Sequence, residues 1–316
     1  MLDRMSRFLA ASMVSDTHAI EFGDNDEGKI LDLEGGHNFC HYSYILQLAS
    51  LILSKKYHSF AVESENISWL FPEDTIRGIK SKEQIDLTQS ITFPDGGYSI
   101  LRSHDNETVV AIDHAPLGFG SIAAHGHDDA LSFQLYYRGC PVFGDPGTGV
   151  YHCNLPLRNR LRDSLHHNTV TINDTPGAEM LGAFLWGQRP DTSLYISDLT
   201  RDLDTVIADT RGLSGISHRR KFTFDKVTPT LIINDEFEHD CDWIATFVLA
   251  PTMQKVTLNG NSANINGIFA LTATAGHMTV EKGEYSPHYG IITSCHILRI
   301  KGHGRENSII IEPIKP

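Results

Sequence analysis

The spacing of apolar residues along the chain changes at about residue 91. Before that point, apolar residues recur three and four positions apart in "DRMSRFLAAS" and in "FCHYSYILQLASLILSKKYH", which is typical of amphipathic helices. A loop rich in glycine and aspartate, "FGDNDEGKILDLEGGHN", separates the two segments. The pattern predicts a short helical segment over residues 1–70. Because two helices cannot form a core of their own, this segment should pack against other parts of the protein.

From Ile91 onward the period falls to two. Runs such as "YSILRS", "TVVAIDH", "LSFQLYYRG", "NTVTIND", "PTLIINDEFE" and "IATFVLAP" are rich in β-branched or aromatic residues and are bounded by Gly, Asn, Asp or Pro. Many short strands without intervening helices predict antiparallel sheets packed face to face. The expected fold class is mainly β, with a large antiparallel β-sandwich over residues 71–316 after the helical segment.

Composition narrows the class of protein further. The chain has 316 residues, of which 41% are hydrophobic and 21% charged, as in a folded globular protein. Its formal net charge of -13 and the lack of a large basic patch argue against nonspecific nucleic-acid binding. The longest apolar run, "YILQLASLIL", is about half of what a bilayer-spanning helix needs, so no membrane span is expected.

The cysteine pattern and the N-terminal residues bear on the redox environment and the cellular location. Five cysteines without CxxC spacing indicate neither a disulfide framework nor a thiolate zinc site. The first residues lack the apolar stretch and cleavage site of a secretory signal. If Met1 is the genuine start, a cytoplasmic location is expected.

Histidines and aspartates concentrate between residues 123 and 174. His127 lies in "HGH" before a strand, Asp145 lies in "FGDPG" after the next one, and His167 begins "HNTVTIND". If the three strands are neighbours, these side chains meet as a nitrogen and oxygen ligand set suited to zinc. Ordinary histidines at sheet ends are the alternative, and spacing alone favours that alternative. His166 should point away from the set.

Several of these motifs carry a resemblance to a known family. "HGHDDALSF", "GDPGT", "RNRLRDSLHHNTVTIND" and "FLWG", in this order, resemble the C-terminal module of the heparinase II/III-like polysaccharide lyases, which include alginate and oligoalginate lyases. "FPDGGYSILRS" and "GDNDEG" upstream resemble that family as well. The resemblance covers most of residues 20–240. It implies an incomplete α/α toroid followed by an antiparallel β-sandwich, so that residues 1–70 would be the end of the toroid.

The resemblance also implies roles for individual residues. His127, Asp145 and His167 match the positions that hold one structural zinc ion, and His125 matches a histidine that faces the substrate. Lytic cleavage of a uronic-acid polymer requires neutralisation of the carboxylate, a base and an acid. His125 fits the first duty or part of the proton shuttling. We predict Tyr151 in "GTGVYH" as a second proton-transfer group, with a structural tyrosine as an equal alternative.

A second set of charged residues is predicted to contact substrate or to form a loop. Arg158 and Arg162 belong to a local basic run that would attract an acidic chain, although a solvated face paired with Asp163 explains the run almost as well. "GDNDEG", which contains Asp24, lacks the glutamate that an EF-hand calcium loop requires. A turn, or an interdomain loop near the cleft, is expected there.

The leading hypothesis is the C-terminal portion of a lyase acting on an acidic polysaccharide or oligosaccharide. The resemblance implies further catalytic groups on upstream helices, and "GGHNFCHYSY", with His37, Asn38 and His41, looks like the toroid's last turns rather than those helices. The alternatives are a noncatalytic carbohydrate-binding or polysaccharide-biosynthesis module and a zinc-dependent hydrolase. A homodimer is compatible with the sequence, and the family resemblance implies a periplasmic or cell-envelope location.

Overall fold

The computed structural model describes residues 1–16, 18–28, 42–60 and 64–314. Four helices of this part precede the sheets and a fifth, with a 3₁₀ turn after it, lies between strands. They are α1 (Leu2–Ala11), α2 (Tyr42–Leu53), α3 (Glu65–Leu70), α4 (Glu73–Lys80), α5 (Leu155–Leu161) and the 3₁₀ turn Ser164–His166. Within the described residues, no helix is long and apolar enough to cross a membrane.

The strands form two main antiparallel sheets and a small hairpin. Their bounds are β1 (Ile91–Phe93), β2 (Tyr98–Arg102), β3 (Thr108–Asp113), β4 (Phe133–Tyr137), β5 (Cys140–Phe143), β6 (Val170–Ile172), β7 (Met180–Gly182), β8 (Leu185–Trp186), β9 (Asp191–Leu199), β10 (Leu203–Arg211), β11 (Ser217–Asp225), β12 (Thr230–Val248), β13 (Val256–Asn259), β14 (Ser262–Ile265), β15 (Phe269–Ala273), β16 (His277–His288) and β17 (Ile291–Pro313).

Sheet order follows the chain in the smaller sheet and departs from it in the larger one. The smaller sheet runs β1-β2-β3-β4-β5. The larger sheet runs β13-β14-β15-β17-β12-β11-β10-β9, with β16 also paired to β17 and β6 also paired to β12. Strand β6 is short, and it brings the segment after the 3₁₀ turn onto the end of β12. Through β6, the larger sheet lies next to the loops of the smaller sheet.

The main core lies between the two sheets. Alternate residues of the smaller sheet, such as Leu101 and Leu135, join residues of the larger sheet in one buried apolar cluster. At its centre the Phe133 ring lies 6.2 Å from the ring of Phe222 and 6.1 Å from that of Phe247. Two sheets that bury one face each against the other form a β-sandwich.

The helical segment covers the other face of the smaller sheet. Ala11 of α1 clusters with Ile100 and Val109, whose neighbours in sequence point into the main core. The guanidinium of Arg102 donates to the carbonyls of Ala11 and Met13, at 2.7 Å each, and so ties the end of α1 to the sheet. The helices therefore pack against the β-domain, as two helices without a core of their own must.

The fold class predicted from sequence, mainly β with antiparallel sheets after short helices, is confirmed. Two details differ. "PTLIINDEFE" and "IATFVLAP" belong to the single strand β12, whose pairing with β17 is irregular between Glu236 and Cys241. Helix α4 lies beyond residue 70, so the domain boundary there stays a prediction. His37, Asn38 and His41 lie outside the described residues.

A buried ion pair joins the larger sheet to the loops of the smaller one. Asp235 of β12 accepts from the Arg220 Nε at 2.6 Å and from the His218 Nε2 at 2.7 Å, and Asp235 and Arg220 are fully buried. The Arg220 Nη1 donates to the carbonyls of Leu131 and Asn168, at 3.0 Å each. Burial alone would raise the pKa of Asp235, but the Arg220 charge and the His218 hydrogen bond hold it well below its usual range.

We expect Asp235→Asn to lower the free energy of unfolding by about 3–5 kcal/mol, because the Arg220 charge would stay buried without a counter-charge. Urea denaturation measures the change. Asp209→Asn is the matched control, since Asp209 of β10 pairs at the surface with Arg219, the neighbour of Arg220 in β11, and such a pair contributes about 1 kcal/mol or less.

The same pair has a defined pH dependence. A carboxyl whose folded pKa is depressed stabilises the fold fully above its unfolded pKa of about 3.9, and this contribution is lost as pH falls towards the folded value. The stability difference between the parent and Asp235→Asn should be constant above about pH 5 and shrink below about pH 4. A difference that grows on acidification would contradict this account.

Candidate functional site

Three side chains far apart in the sequence converge at one edge of the sandwich. A ligand atom from each of His127, Asp145 and His167 lies within 4.8 Å of the others. The Nε2 of His167 lies 3.1 Å from the Nδ1 of His127 and 3.4 Å from the Oδ2 of Asp145. Both histidines are buried, and the Asp145 side chain is 10% exposed. The predicted proximity is present, but the strands are not three neighbours: β4 and β5 are paired in the smaller sheet, whereas β6, which follows His167, pairs with β12 of the larger one.

The convergence depends on the amide of Asn168, which is buried beside His167. Its nitrogen donates to the carbonyls of Phe133, at 2.7 Å, and Gly144, at 3.1 Å. Its oxygen accepts from the backbone N–H of Val248 at 2.6 Å. Gly144 precedes Asp145, and Phe133 ends the segment that begins at His125. One side chain therefore fixes the segments that carry all three converging groups.

Asp145 is held by the turn that "GDPGT" forms. Its Oδ1 accepts from the backbone N–H of Gly147 at 2.8 Å, as the side chain of an Asx turn does. Gly147 has φ +78, and a Cβ there would lie 2.2 Å from the carbonyl oxygen of Ser286. Only glycine fits this position, so the motif is needed to direct the carboxylate inward.

Hydrogen bonds set which nitrogen of each buried histidine is available as a ligand. The Nδ1 of His167 lies 2.9 Å from the carbonyl of Asp163, which can only accept, so this nitrogen donates and Nε2 is left free. The Nε2 of His127 lies 3.0 Å from the carboxylate of Asp24, so Nδ1 is left free. The two free nitrogens both face Asp145. Two imidazoles and a carboxylate with such outer partners fit zinc, and leave one position for a further ligand.

The electrostatics of the cluster favour bound positive charge. Burial alone would lower the pKa of His167, but the charge of Asp145 and the hydrogen bond to it raise that pKa to about 9, so a metal ion at Nε2 would take the place of a proton there. Burial alone would raise the pKa of Asp145, but the charge of His167 holds it below its ordinary value. His166 is outside the cluster, and burial lowers its pKa to about 4.

Asp24 is the residue of the site that sequence reasoning missed. Its side chain is fully buried and lies between three partners. The guanidinium of Arg158 donates to both carboxylate oxygens, to Oδ2 at 2.6 Å, while His127 contacts Oδ1 and the Nδ1 of His125 lies 3.3 Å from Oδ2. The sequence signal for Asp24 was the motif "GDNDEG", which is part of the family resemblance but whose composition by itself predicts a turn.

His125 and Tyr151, the predicted proton-transfer residues, lie at the exposed side of the cluster. The His125 side chain is 55% exposed, and its ring lies 6.2 Å from that of Tyr151 and 5.4 Å from that of Phe184. Burial, followed by the charge of Asp24, raises the pKa of Tyr151 well above its ordinary value. Tyr151 therefore holds its proton at neutral pH more tightly than an ordinary tyrosine does.

Arg158 and Arg162, predicted to bind substrate, do not lie on an open face. Both are fully buried. Arg158 pairs with Asp24, and Arg162 donates to the carbonyl of Gly182 at 2.7 Å and stacks on Trp186, with 4.6 Å between the guanidinium carbon and the ring centre. The partners of both arginines are distant in sequence, so the basic run was compatible with a solvent-exposed face. Direct contact of either guanidinium with a polymer does not fit this burial.

The fold and the site together define an antiparallel β-sandwich module with a buried His–Asp–His set at one edge. The family described as "Heparinase II/III-like, C-terminal" matches residues 86–311, and the chain belongs to this family. No curated protein matches the chain significantly in sequence.

Solved structures agree with this fold. A heparinase III gene product superposes with a TM-score of 0.73 at 16% identity, and the heparan sulfate lyase HepC from Pedobacter heparinus with a TM-score of 0.71 at 16% identity. In both cases the match covers 99% of this chain and 46% of the other. A further heparinase III gives a TM-score of 0.68 at 15% identity, over 99% of this chain and 48% of the other. The chain therefore spans about half the length of these structures.

We expect Asn168→Ala to lower the free energy of unfolding by about 2–4 kcal/mol, because it leaves two carbonyls and one N–H buried without their partner. Asn234→Ala is the control, since the Asn234 amide donates to one hydroxyl, that of Ser308. Chemical denaturation compares the two variants. Equal losses for both would show that the Asn168 amide does not hold the strand ends together.

Proposed function

We propose that this chain is the C-terminal module of a polysaccharide lyase that cleaves a uronic-acid-containing polymer by β-elimination. The observation that carries the proposal is the position of His125. Its exposed ring lies beside the buried His127, Asp145 and His167 at one edge of a heparinase II/III-like module, and Asp24 contacts both His125 and His127.

The reaction assigns distinct duties to the groups at this edge. A base removes the proton from the carbon beside the carboxylate, the bond from the neighbouring carbon to the linking oxygen breaks, and an acid protonates that oxygen. A carbon–carbon double bond remains in the sugar that carried the carboxylate. Tyr151, whose ring lies beside that of His125, is the candidate acid because of this position, and His125 fits neutralisation of the carboxylate or proton transfer.

The substrate class is an acidic polysaccharide. The family and the heparan sulfate lyase among similar structures support this class, while the overall charge of -13 requires that positive charge at the binding surface be local or supplied by other groups. Because similar structures are about twice as long, we infer that further catalytic groups come from a helical part outside this chain.

Zinc is the metal proposed for His127, Asp145 and His167, in a structural role. When bound, it would cross-link the three segments that carry these residues and so stabilise the fold. The two histidines contribute through the nitrogens left free by Asp163 and Asp24, and the carboxylate of Asp145 contributes the negative charge. Nothing in the elimination chemistry requires the ion to touch the substrate.

We expect the purified chain to hold one zinc ion and His167→Ala to lose it. Elemental analysis after dialysis measures the stoichiometry. Because a ligand that binds only the folded state stabilises it by about 2.7 kcal/mol at a concentration 100-fold above Kd, chelation should lower the unfolding midpoint of the parent but not of His167→Ala. His166→Ala, at the adjacent position outside the set, is the control and should retain zinc. Loss of zinc from both variants, or from neither, would contradict the assigned ligands.

Because further catalytic groups are inferred to lie outside this chain, we expect the chain alone to cleave alginate, heparan sulfate or other polyuronates only slowly, with products whose new double bond absorbs in the far ultraviolet. His125→Ala and Tyr151→Phe should each lower the rate by about 100-fold or more, the usual contribution of a positioned proton-transfer group. His152→Ala, an exposed neighbour, is the control.

Each other outcome of this assay favours a different class of protein. No product from any polymer would rule out catalysis by this chain alone. Glycan binding without product, and unaffected by His125→Ala, would favour a noncatalytic carbohydrate-binding module. An esterase or amidase activity that disappears with zinc would favour the hydrolase, since three protein ligands leave one position for water.

A further inference from the structure

Asp24 lies between the candidate metal ligands and the candidate substrate-facing histidine. We propose that Asp24 is a positioning residue that fixes the tautomer of His125 and couples it to His127. The importance of His125 rests on the function proposed above. The contacts that Asp24 makes do not depend on catalytic turnover. Oδ1 of Asp24 contacts the Nε2 of His127 at 3.0 Å, and Oδ2 lies 3.3 Å from the Nδ1 of His125.

The charge state of Asp24 decides the direction of both hydrogen bonds. Its carboxylate is buried against Arg158, whose guanidinium donates to both oxygens. An ionised carboxylate can only accept hydrogen bonds, so His127 donates from Nε2 and His125 donates from Nδ1. A neutral imidazole carries one N–H. The Nε2 of His125 is therefore left without a proton, which makes His125 a proton acceptor rather than a donor to the sugar carboxylate.

The backbone places the carboxylate independently of its side-chain partners. The N–H of Asp24 donates to the carbonyl of His125 at 2.9 Å, and the N–H of Asn25 donates to the Oγ1 of Thr148 at 2.7 Å. Gly23 has φ +69, and a Cβ there would lie 2.5 Å from the same His125 carbonyl. The "GDNDEG" loop thus contacts both "HGH" and "GDPGT", and the Asp24 carboxylate cannot move without moving His125.

Asp24 therefore contacts both a candidate metal ligand, His127, and the candidate substrate-facing histidine, His125. Carboxylates that accept from a metal-ligating histidine fix its orientation, and their loss typically costs about 10–100-fold in metal affinity. A carboxylate that holds the Nδ1–H of an acid–base histidine fixes the tautomer needed for proton transfer. In this chain one side chain has the contacts for both roles, and Arg158 supplies the charge that keeps it ionised.

Imidazole nitrogen NMR at a fixed pH at which His125 is neutral tests the proposal. We expect the Nδ1–H tautomer of His125 in the parent chain and a shift to the Nε2–H tautomer in Asp24→Asn. The physical reason is the orientation of the asparagine amide. With zinc at Nδ1 of His127, the Nε2–H of that histidine needs an acceptor, so the amide oxygen faces His127 and the NH₂ group faces His125, where it can only donate to Nδ1 and reverses the hydrogen bond. Asp26→Asn, in the same loop, is the matched control and should leave the parent spectrum unchanged. Zinc competition with a chelator should show a 10–100-fold weaker affinity for Asp24→Asn alone.

Folding of the variant needs a separate safeguard, because Asp24→Asn leaves the Arg158 charge buried without its partner. The double variant Asp24→Asn/Arg158→Gln removes both charges and should give the same tautomer shift. A parent His125 that is mainly Nε2–H, or one whose tautomer is the same in the folded variants, overturns the proposal. If the tautomer depends on Asp24 but His125→Ala does not affect product formation, the positioning role stands and the lyase function fails.

Discussion

The buried amide of Asn168 is the interaction on which the candidate site depends. A polar group in a core must find hydrogen-bond partners, and this one finds three backbone partners, at Phe133, Gly144 and Val248. These belong to strand ends of both sheets. The relative positions of the segments that carry the His–Asp–His set are therefore fixed by hydrogen-bond geometry, which is directional, rather than by apolar packing, which tolerates sliding. The Arg220–Asp235 pair supports the same region, since Arg220 donates to the Asn168 carbonyl.

The second constraint is charge. Several carboxyls are buried around the two ligand histidines, and their environments differ. Burial and the neighbouring carboxyl of Asp129 raise the pKa of Asp113, whereas Asp24 and Asp145, which have cationic or histidine partners, have lowered pKa values. Ionised carboxyls are thus kept only where Arg158 or a histidine faces them. Around the ligand histidines, the partner of each carboxyl therefore decides whether that carboxyl carries a charge.

The sequence predicts what is local and misses what depends on distant partners. Apolar periodicity predicted α1, α2 and the strand runs, because it reports burial of one face along consecutive residues. The charged stretch in the middle of β12 suggested a break, yet pairing with β17 continues the strand. Asp24 could not be assigned, since its contact with His125 spans 101 positions in sequence. The partners of Arg158 and Arg162 are equally remote, so their burial could not be predicted from a basic run.

His125 itself combines exposure with backbone strain. Its φ of +63 lies in the left-handed region, which costs a residue other than glycine about 1–3 kcal/mol and persists only where surrounding contacts determine it. Asp24 supplies two such contacts, from its N–H to the His125 carbonyl and from its carboxylate to the His125 ring. Ala123 and Leu131 of the same stretch also have φ in the left-handed region, so the strain is shared by the loop that carries His125. Within this loop the contacts from Asp24 hold both the backbone and the ring of His125 in one place, which is what the positioning role proposed for Asp24 requires.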